Sequence, residues 1–169
     1  IQIFGGDPQK MAHAAQIVEA MGADIVDINM GCPVPKIAKH HAGCSLMRDP
    51  SHAAAIISAM AKAVKIPVTV KMRAGWNEHD INAPTMARMA EQAGAAAVAV
   101  HGRTAAQSYS GESDWGLIAR VADDVSIPVF GSGDCVEAEQ VVERLRQSNV
   151  AGILVGRGAL RNPWIFKQA

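Results

Sequence analysis

Short apolar runs alternate with longer stretches of helical periodicity along the whole chain. Runs with strand character, β-branched or aliphatic and bounded by turn residues, fall at Ile1–Phe4, Asp24–Asn29, Val68–Lys71, Ala97–His101, Pro128–Phe130 and Gly152–Val155. Between them, Pro8–Met21 sets Met11, Ala14, Ala15, Val18 and Met21 at helical spacing and stops at Gly22. Pro50–Val64 begins on proline and carries an Ala/Ile/Met face. Ala83–Ala93 starts beside Asn82 and ends at Gly94, and Val136–Arg146 follows Asp134 as its predicted N-cap. Strands alternating with helices predict a parallel sheet with helices packed outside it.

Two parallel architectures fit that alternation, a doubly wound sheet and a (β/α)8 barrel. A doubly wound dinucleotide fold carries its glycine-rich phosphate turn after the first strand. Here the first two strands lead into Gly5-Gly6-Asp7-Pro8 and Gly31-Cys32-Pro33, neither of which is G-x-G-x-x-G. The glycine-rich turns Gly131-Ser132-Gly133-Asp134 and Gly156-Arg157-Gly158 follow the last two strands instead, where barrels frequently bind phosphate. Polar residues also end nearly every strand, and barrels gather their active sites at those carboxyl ends. The pattern therefore predicts a (β/α)8 barrel. A full barrel of about 250 residues allots roughly 31 to each unit, so 169 residues hold between five and six. The expectation is an incomplete barrel, strands three to eight, with earlier units missing ahead of an abrupt start on a strand. Its two open edges predict poor stability or self-association.

Composition changes this picture little. The chain is 49% hydrophobic and 19% charged with a formal net charge of zero, ordinary for a globular domain with a real core. Its apolar runs are far shorter than the ~20 residues of a membrane span. Three widely spaced cysteines fit neither a disulfide framework nor a zinc site, and the default is a reducing compartment. A neutral total gives no sign of a nucleic-acid partner, although a local basic patch is compatible with it.

The candidate chemistry lies at the strand ends. Cys32 follows Asp27-Ile28-Asn29-Met30-Gly31, at a loop position where active groups sit. A thiol of reference pKa ~8.5 can donate a proton near neutrality, or attack as a nucleophile if a neighbour lowers that value. Cys44 and Cys135 read as small buried hydrophobes. In Val70-Lys71-Met72-Arg73 alternation puts both cations on one side, where they call for an anion or polar ligand. Arg73 has the alternative of lying past the strand in solvent. His101 closes an apolar strand on the active face, whereas His13, His52 and His79 are expected in solvent. Lys36, Lys39, His40 and His41 form a small basic cluster in a loop, read as solvated. Ser132, Gly133, Asp134, Gly156 and Arg157 read as a phosphate cradle of backbone N–H groups with an arginine clamp. Gln2 offers an amide edge to a planar heterocycle. No metal cluster is apparent. A flat, phosphorylated cofactor such as FMN suits the set, with Cys32 facing a substrate across the ring.

The stretches DINMGCPVPKIAKHHAGCSLMRDP, VKMRAGW, HGRTAAQSYSGESDW, PVFGSGD and ILVGRGALRNPWIF resemble, in order, the signature segments of the tRNA-dihydrouridine synthases, close to the bacterial B-type branch, over essentially the whole chain. The resemblance implies an FMN-binding (β/α)8 barrel, of which residues 1–169 are a part, followed by a helical domain not included here. It implies NADPH as reductant, hydride delivery from reduced FMN to C6 of a uracil in tRNA, and a proton to C5 from Cys32. Gln2, Lys71 and His101 match flavin-contacting positions. Ser132, Gly133, Asp134, Gly156 and Arg157 match the phosphate loops, and Asn29 and Arg73 match positions beside flavin and uracil. Ser132 departs from the asparagine common in the family. A cytoplasmic tRNA-binding enzyme is the expectation. The alternatives are another FMN barrel acting on a free pyrimidine, and a non-catalytic, oligomerising barrel fragment.

Overall fold

The computed structural model describes residues 1–38 and 41–169, so Lys39 and His40 of the expected basic cluster lie outside the described residues. In chain order the elements are β1 (Gln2–Ile3), α1 (Pro8–Ala20), β2 (Val26–Met30), α2 (Pro35–Ala38), a 3-10 helix (Gly43–Arg48), α3 (Pro50–Ala63), β3 (Val68–Arg73), β4 (Gly75–Asn77) and β5 (Asp80–Ile81). They continue with α4 (Ala83–Gln92), β6 (Ala97–His101), α5 (Trp115–Asp124), β7 (Val129–Ser132), α6 (Ala138–Gln147), β8 (Gly152–Leu154), α7 (Arg157–Arg161) and α8 (Ile165–Gln168). Six strands form one parallel sheet in the order β1-β2-β3-β6-β7-β8, and β4 and β5 form a separate antiparallel pair. Each sheet strand is one of the six expected from sequence, and the sheet is an open arc of a (β/α)8 barrel.

The helices form where local chemistry satisfies their first turns. The Asp7 carboxylate accepts from the Lys10 N–H at 2.9 Å and that of Asp49 from the His52 N–H at 3.0 Å, each ahead of a proline that opens the helix. The expected Asp134 cap is a correction: α6 begins at Ala138 behind Glu137, in a reciprocal capping box with Gln140. The Asp134 side chain has other partners. Helix α5 was not among the expected helices. Asp114 caps it, and Trp115, Ile118 and Val121 bury one face.

Period-two alternation sorts the strands. Val26, Ile28 and Met30 of β2 and Val68, Val70 and Met72 of β3 are fully buried, and they join Ile56, Ile57 and Met60 of α3, Met86 of α4 and Ile118 of α5 in the core. Each such side chain contributes about 1.5–3 kcal/mol by leaving water. The alternate positions, Gln2, Asp27, Asn29, Thr69, Lys71, His101 and Ser132, are less buried and occupy the opposite face. The division thus sends apolar residues toward the helices and polar residues to the inner face of the arc.

Among the described residues no helix is long and apolar enough to cross a membrane, and no group of three or more His, Cys, Asp or Glu side chains is arranged to hold a metal ion. His13, His41 and His79 are exposed, but His52 is half-buried and its Nε2 lies 2.7 Å from the Gly6 carbonyl, against the expectation of a solvent-facing ring.

Candidate active site

The C-terminal ends of the sheet strands open into a cleft of about 650 Å³. Gln2, Asn29, Cys32, Lys71, Arg73, His101, Ser132, Gly133, Asp134, Gly156 and Arg157 all line it. Parallel register explains the convergence, because Asn29 pairs with Lys71, Arg73 with His101, and His101 with Ser132. Below them the Asp27 carboxylate accepts from Gln2 Nε2 at 2.6 Å and Thr69 Oγ1 at 2.7 Å, and Asn29 Nδ2 donates to Gln2 Oε1 at 3.0 Å. That chain of bonds orients the Gln2 amide.

Asn29 also shapes the cysteine loop. Its Oδ1 accepts the N–H of Gly31 at 3.1 Å and of Cys32 at 3.0 Å, an Asx-type turn that fixes the chain as it leaves β2. The Cys32 carbonyl then accepts the Cys44 N–H at 3.0 Å. Cys32 is half-buried, whereas Cys44 and Cys135 are buried, as expected. Burial pushes the Cys44 thiol up against the pull of Arg73, and pushes Cys135 up to about 11. Gly43 supports the loop from behind: its φ is +61° and an added Cβ would stand 2.7 Å from the Cys32 carbonyl oxygen. Gly43→Ala is therefore expected to cost about 1–3 kcal/mol and to shift the Cys32 loop. Thermal melts, together with the rate of Cys32 alkylation, check this; a variant unchanged in both would remove Gly43 as a support.

Lys71 and His101 stand in the cleft with no hydrogen-bond partner among the described residues. Burial first, then the Arg73 charge, lower the Lys71 ammonium, with Asp27 opposing. His101 is brought down to about 4 by burial, then by Arg73, Lys71 and Arg103, against the attraction of Asp134. Its ring is neutral near pH 7. The unfolded chain takes up this proton near pH 6.5, while the folded chain resists to about 4. Stability from this source is complete above pH 6.5 and is lost as pH falls toward about 4. His101→Gln is expected to flatten that part of the acid loss in melts across the window, and an unchanged profile would exclude His101 as its source. The Asp134 carboxyl works at lower pH, since its folded value lies below 3.8 and its contribution disappears beneath that.

Arg73 lies within β3 and is only 6% exposed, which excludes the solvent alternative. Its Nε donates to the Gly31 carbonyl at 2.9 Å, and Nη1 donates to the carbonyls of Thr104 and Ser108, each at 2.9 Å. The guanidinium thus joins the cysteine loop to the loop after β6.

At the far end, Ser132, Gly133 and Asp134 follow β7, while Gly156 and Arg157 follow β8. Among the described residues the N–H groups of Asp134, Gly156 and Arg157 have no acceptor within the protein, and an added Cβ at Gly156 would meet open space. The Asp134 side chain does not face the cleft as a free acid. Partial burial works to raise its carboxyl, but hydrogen bonds from Arg103 and Ser113 and the charges of Arg103 and Arg157 hold it below the carboxylate range. Arg157 keeps an exposed guanidinium 4.5 Å above the Tyr109 ring and 3.9 Å from Asp134. Free amides, an exposed guanidinium, an unpartnered ammonium and a neutral imidazole fit a phosphorylated, hydrogen-bonding ring system such as FMN.

Arg103, Tyr109 and Ser113 carry no assignment from sequence, although they lie within the segment HGRTAAQSYSGESDW. Arg103 directly after a strand-ending His-Gly was the available signal. Its meaning depends on Asp134, 31 positions away.

The fold and cleft define a (β/α)8-barrel protein with its polar cleft on the C-terminal face. The family described as dihydrouridine synthase (Dus) matches residues 1–169, and the chain belongs to it. It is 48% identical over 168 residues to a probable tRNA-dihydrouridine synthase of Rickettsia bellii, covering 99% of this chain and 52% of that protein. It is 46% identical to tRNA-dihydrouridine synthase B of Pseudomonas aeruginosa, covering 99% and 51%. The chain therefore spans about half the length of the curated relatives it matches. Among solved structures, a dipeptide epimerase from Enterococcus faecalis superposes with a TM-score of 0.60 at 18% identity, over 90% of this chain and 36% of that one. A nitroalkane oxidase from Streptomyces ansochromogenes gives 0.51 at 18% identity, over 84% and 36%. At that identity both likenesses concern the fold alone.

Proposed function

We propose that residues 1–169 are the FMN-binding part of a tRNA-dihydrouridine synthase, which reduces uridine in tRNA to 5,6-dihydrouridine with NADPH as reductant. The observation that carries the reading is the convergence in one cleft of a half-buried thiol, a neutral imidazole, an unpartnered ammonium and free backbone amides. Bound FMN would supply the hydride for C6 of the uracil. Asp134, Gly156 and Arg157 hold the phosphate through their N–H groups and the Arg157 guanidinium. Gln2, Lys71 and His101 hydrogen-bond the polar edge of the ring system, and Asn29 and Arg73 line the place of the uracil. Cys32 carries the proton that goes to C5. A target base must leave its stack to enter such a cleft. A tRNA substrate and an NADPH reductant suit a cytoplasmic protein.

The test is titration with FMN, followed by incubation with unmodified tRNA and NADPH and mass spectrometry of the nucleosides. Stoichiometric flavin uptake and dihydrouridine in tRNA support the proposal. Turnover of free uracil or dihydroorotate without tRNA would favour a pyrimidine oxidoreductase instead. A second reading, a non-catalytic fragment that self-associates, is favoured by the open edges β1 and β8 and by Leu160, Trp164 and Phe166, which are 88%, 68% and 64% exposed. A concentration-dependent dimer without flavin uptake would support it.

A further inference from the structure

Arg103 lies two residues past the end of β6 yet is 3% exposed. Its Nε donates to the Ser110 carbonyl at 3.1 Å, and Nη2 donates to the Gly111 carbonyl. The same guanidinium forks onto Asp134, with Nη1 2.8 Å from Oδ1 and Nη2 2.9 Å from Oδ2. The Ser113 N–H adds a third bond to that carboxylate at 2.8 Å. Asp134 has a φ of +53°, a left-handed conformation that costs a residue with a Cβ, and it follows Gly133 at +126°, which glycine adopts freely. The buried fork and the Ser113 N–H hold the Asp134 side chain in that conformation. The fork also pairs the carboxylate with a buried guanidinium at the cleft wall, and the Asp134 N–H has no protein acceptor among the described residues.

We propose that Arg103 is a positioning residue for the cofactor phosphate: by gripping the Asp134 carboxylate it holds the turn after β7 with its backbone N–H presented to the cleft. The inference rests on the FMN reading above. A guanidinium is needed for it, because a lysine ammonium keeps the charge but cannot fork onto both carboxylate oxygens and reach two carbonyls. Arg103 touches neither ring nor substrate in this account. Its effect is confined to ligands that carry the phosphate.

That confinement gives the test. FMN and riboflavin share the ring and differ in the phosphate, and both binding constants can be read from flavin fluorescence. The unaltered protein is expected to prefer FMN. Arg103→Lys is expected to weaken FMN at least about tenfold, the loss of a charge-assisted pair, and to leave riboflavin unchanged. Asp134→Asn is a second variant that remains useful if Arg103→Lys does not fold. Removing a negative charge near a phosphate would by itself tighten FMN, whereas loss of the fork weakens it, and the proposal requires weakening. Equal loss of both ligands in Arg103→Lys would reduce Arg103 to a general stabiliser and overturn the proposal, as would tighter FMN binding by Asp134→Asn. If the unaltered protein showed no preference for FMN, the flavin-phosphate reading itself would fail and this inference with it.

Discussion

Cys32→Ala is expected to cut dihydrouridine formation at least about a hundredfold, the range for losing a positioned proton donor, while FMN uptake stays intact. The reasoning begins with placement. Asn29 fixes the turn through the N–H groups of Gly31 and Cys32, and Gly43 backs the Cys32 carbonyl, so the thiol is held by its backbone and not by side-chain partners. No residue proposed for the phosphate shares that loop, so removing the thiol leaves cofactor binding untouched. Neighbouring groups are poor substitutes. His101 is neutral near pH 7, Lys71 is assigned to the polar edge of the ring, Arg73 is held by three carbonyls, and Cys44 is buried. Solvent protons remain, and for that reason the loss is large but finite. Cys32→Ser keeps an O–H of much higher pKa in the same place and is expected to recover only a small part. Single-turnover formation of dihydrouridine in tRNA, read by mass spectrometry beside the flavin absorbance, separates the two steps. Full turnover by Cys32→Ala would refute the proton-donor role, and loss of flavin from the variant would mean that the cysteine loop also holds the cofactor.

The sequence disclosed the sheet better than the connections between its strands. Runs such as Val68-Thr69-Val70 announce a strand by composition, and the glycine-rich turns after β7 and β8 point to the barrel's phosphate end. The places of Cys32, Lys71 and His101 in the cleft were legible because a polar or titratable group within, at the end of or just after an apolar strand breaks the local pattern. What escaped were features set by partners far along the chain. Asp134 looks like an N-cap because an acid followed by a helical segment often is one. Arg103 claims it instead, and Glu137 with Gln140 closes α6. His52 looks like a surface residue on α3 until the Gly6 carbonyl, 46 positions away, meets its ring. The β4–β5 pair is short and has no hydrophobic run of its own, so local periodicity could not reveal it. Arg73 lies two residues past the expected strand Val68–Lys71, and only the extension of β3 through it decides between solvent and interior.

Arg73→Met is expected to destabilise the protein by about 3–5 kcal/mol, the largest effect on stability foreseen here. The side chain satisfies three carbonyls, those of Gly31, Thr104 and Ser108. Each acceptor left without a partner in a buried place costs about 1–3 kcal/mol, and the three are not independent, so the sum is discounted. Methionine fills most of the volume, which keeps the loss from being one of packing. The chain has two ways to respond. Either the carbonyls stay buried and unpaired, or the segment Thr104–Ser110 lifts away and hydrates them, giving up its place over the cleft. Both lower the melting temperature, by roughly 10 °C for a domain of this size, and the second also opens Ser108–Gly111 to proteases. Arg73→Lys is expected to recover little, because a single ammonium cannot span carbonyls on two loops. Arg88→Gln serves as the control. It breaks a pair with Asp124 whose side chains are 45% and 39% exposed, and exposed pairs contribute no more than about 1 kcal/mol. A loss of a few kcal/mol against a typical total of about 5–15 kcal/mol would leave Arg73→Met marginal near 37 °C. Melting that is unchanged beside the control would show that the loop after β6 is held by Arg103 and its own turns, with Arg73 free to serve the cleft alone.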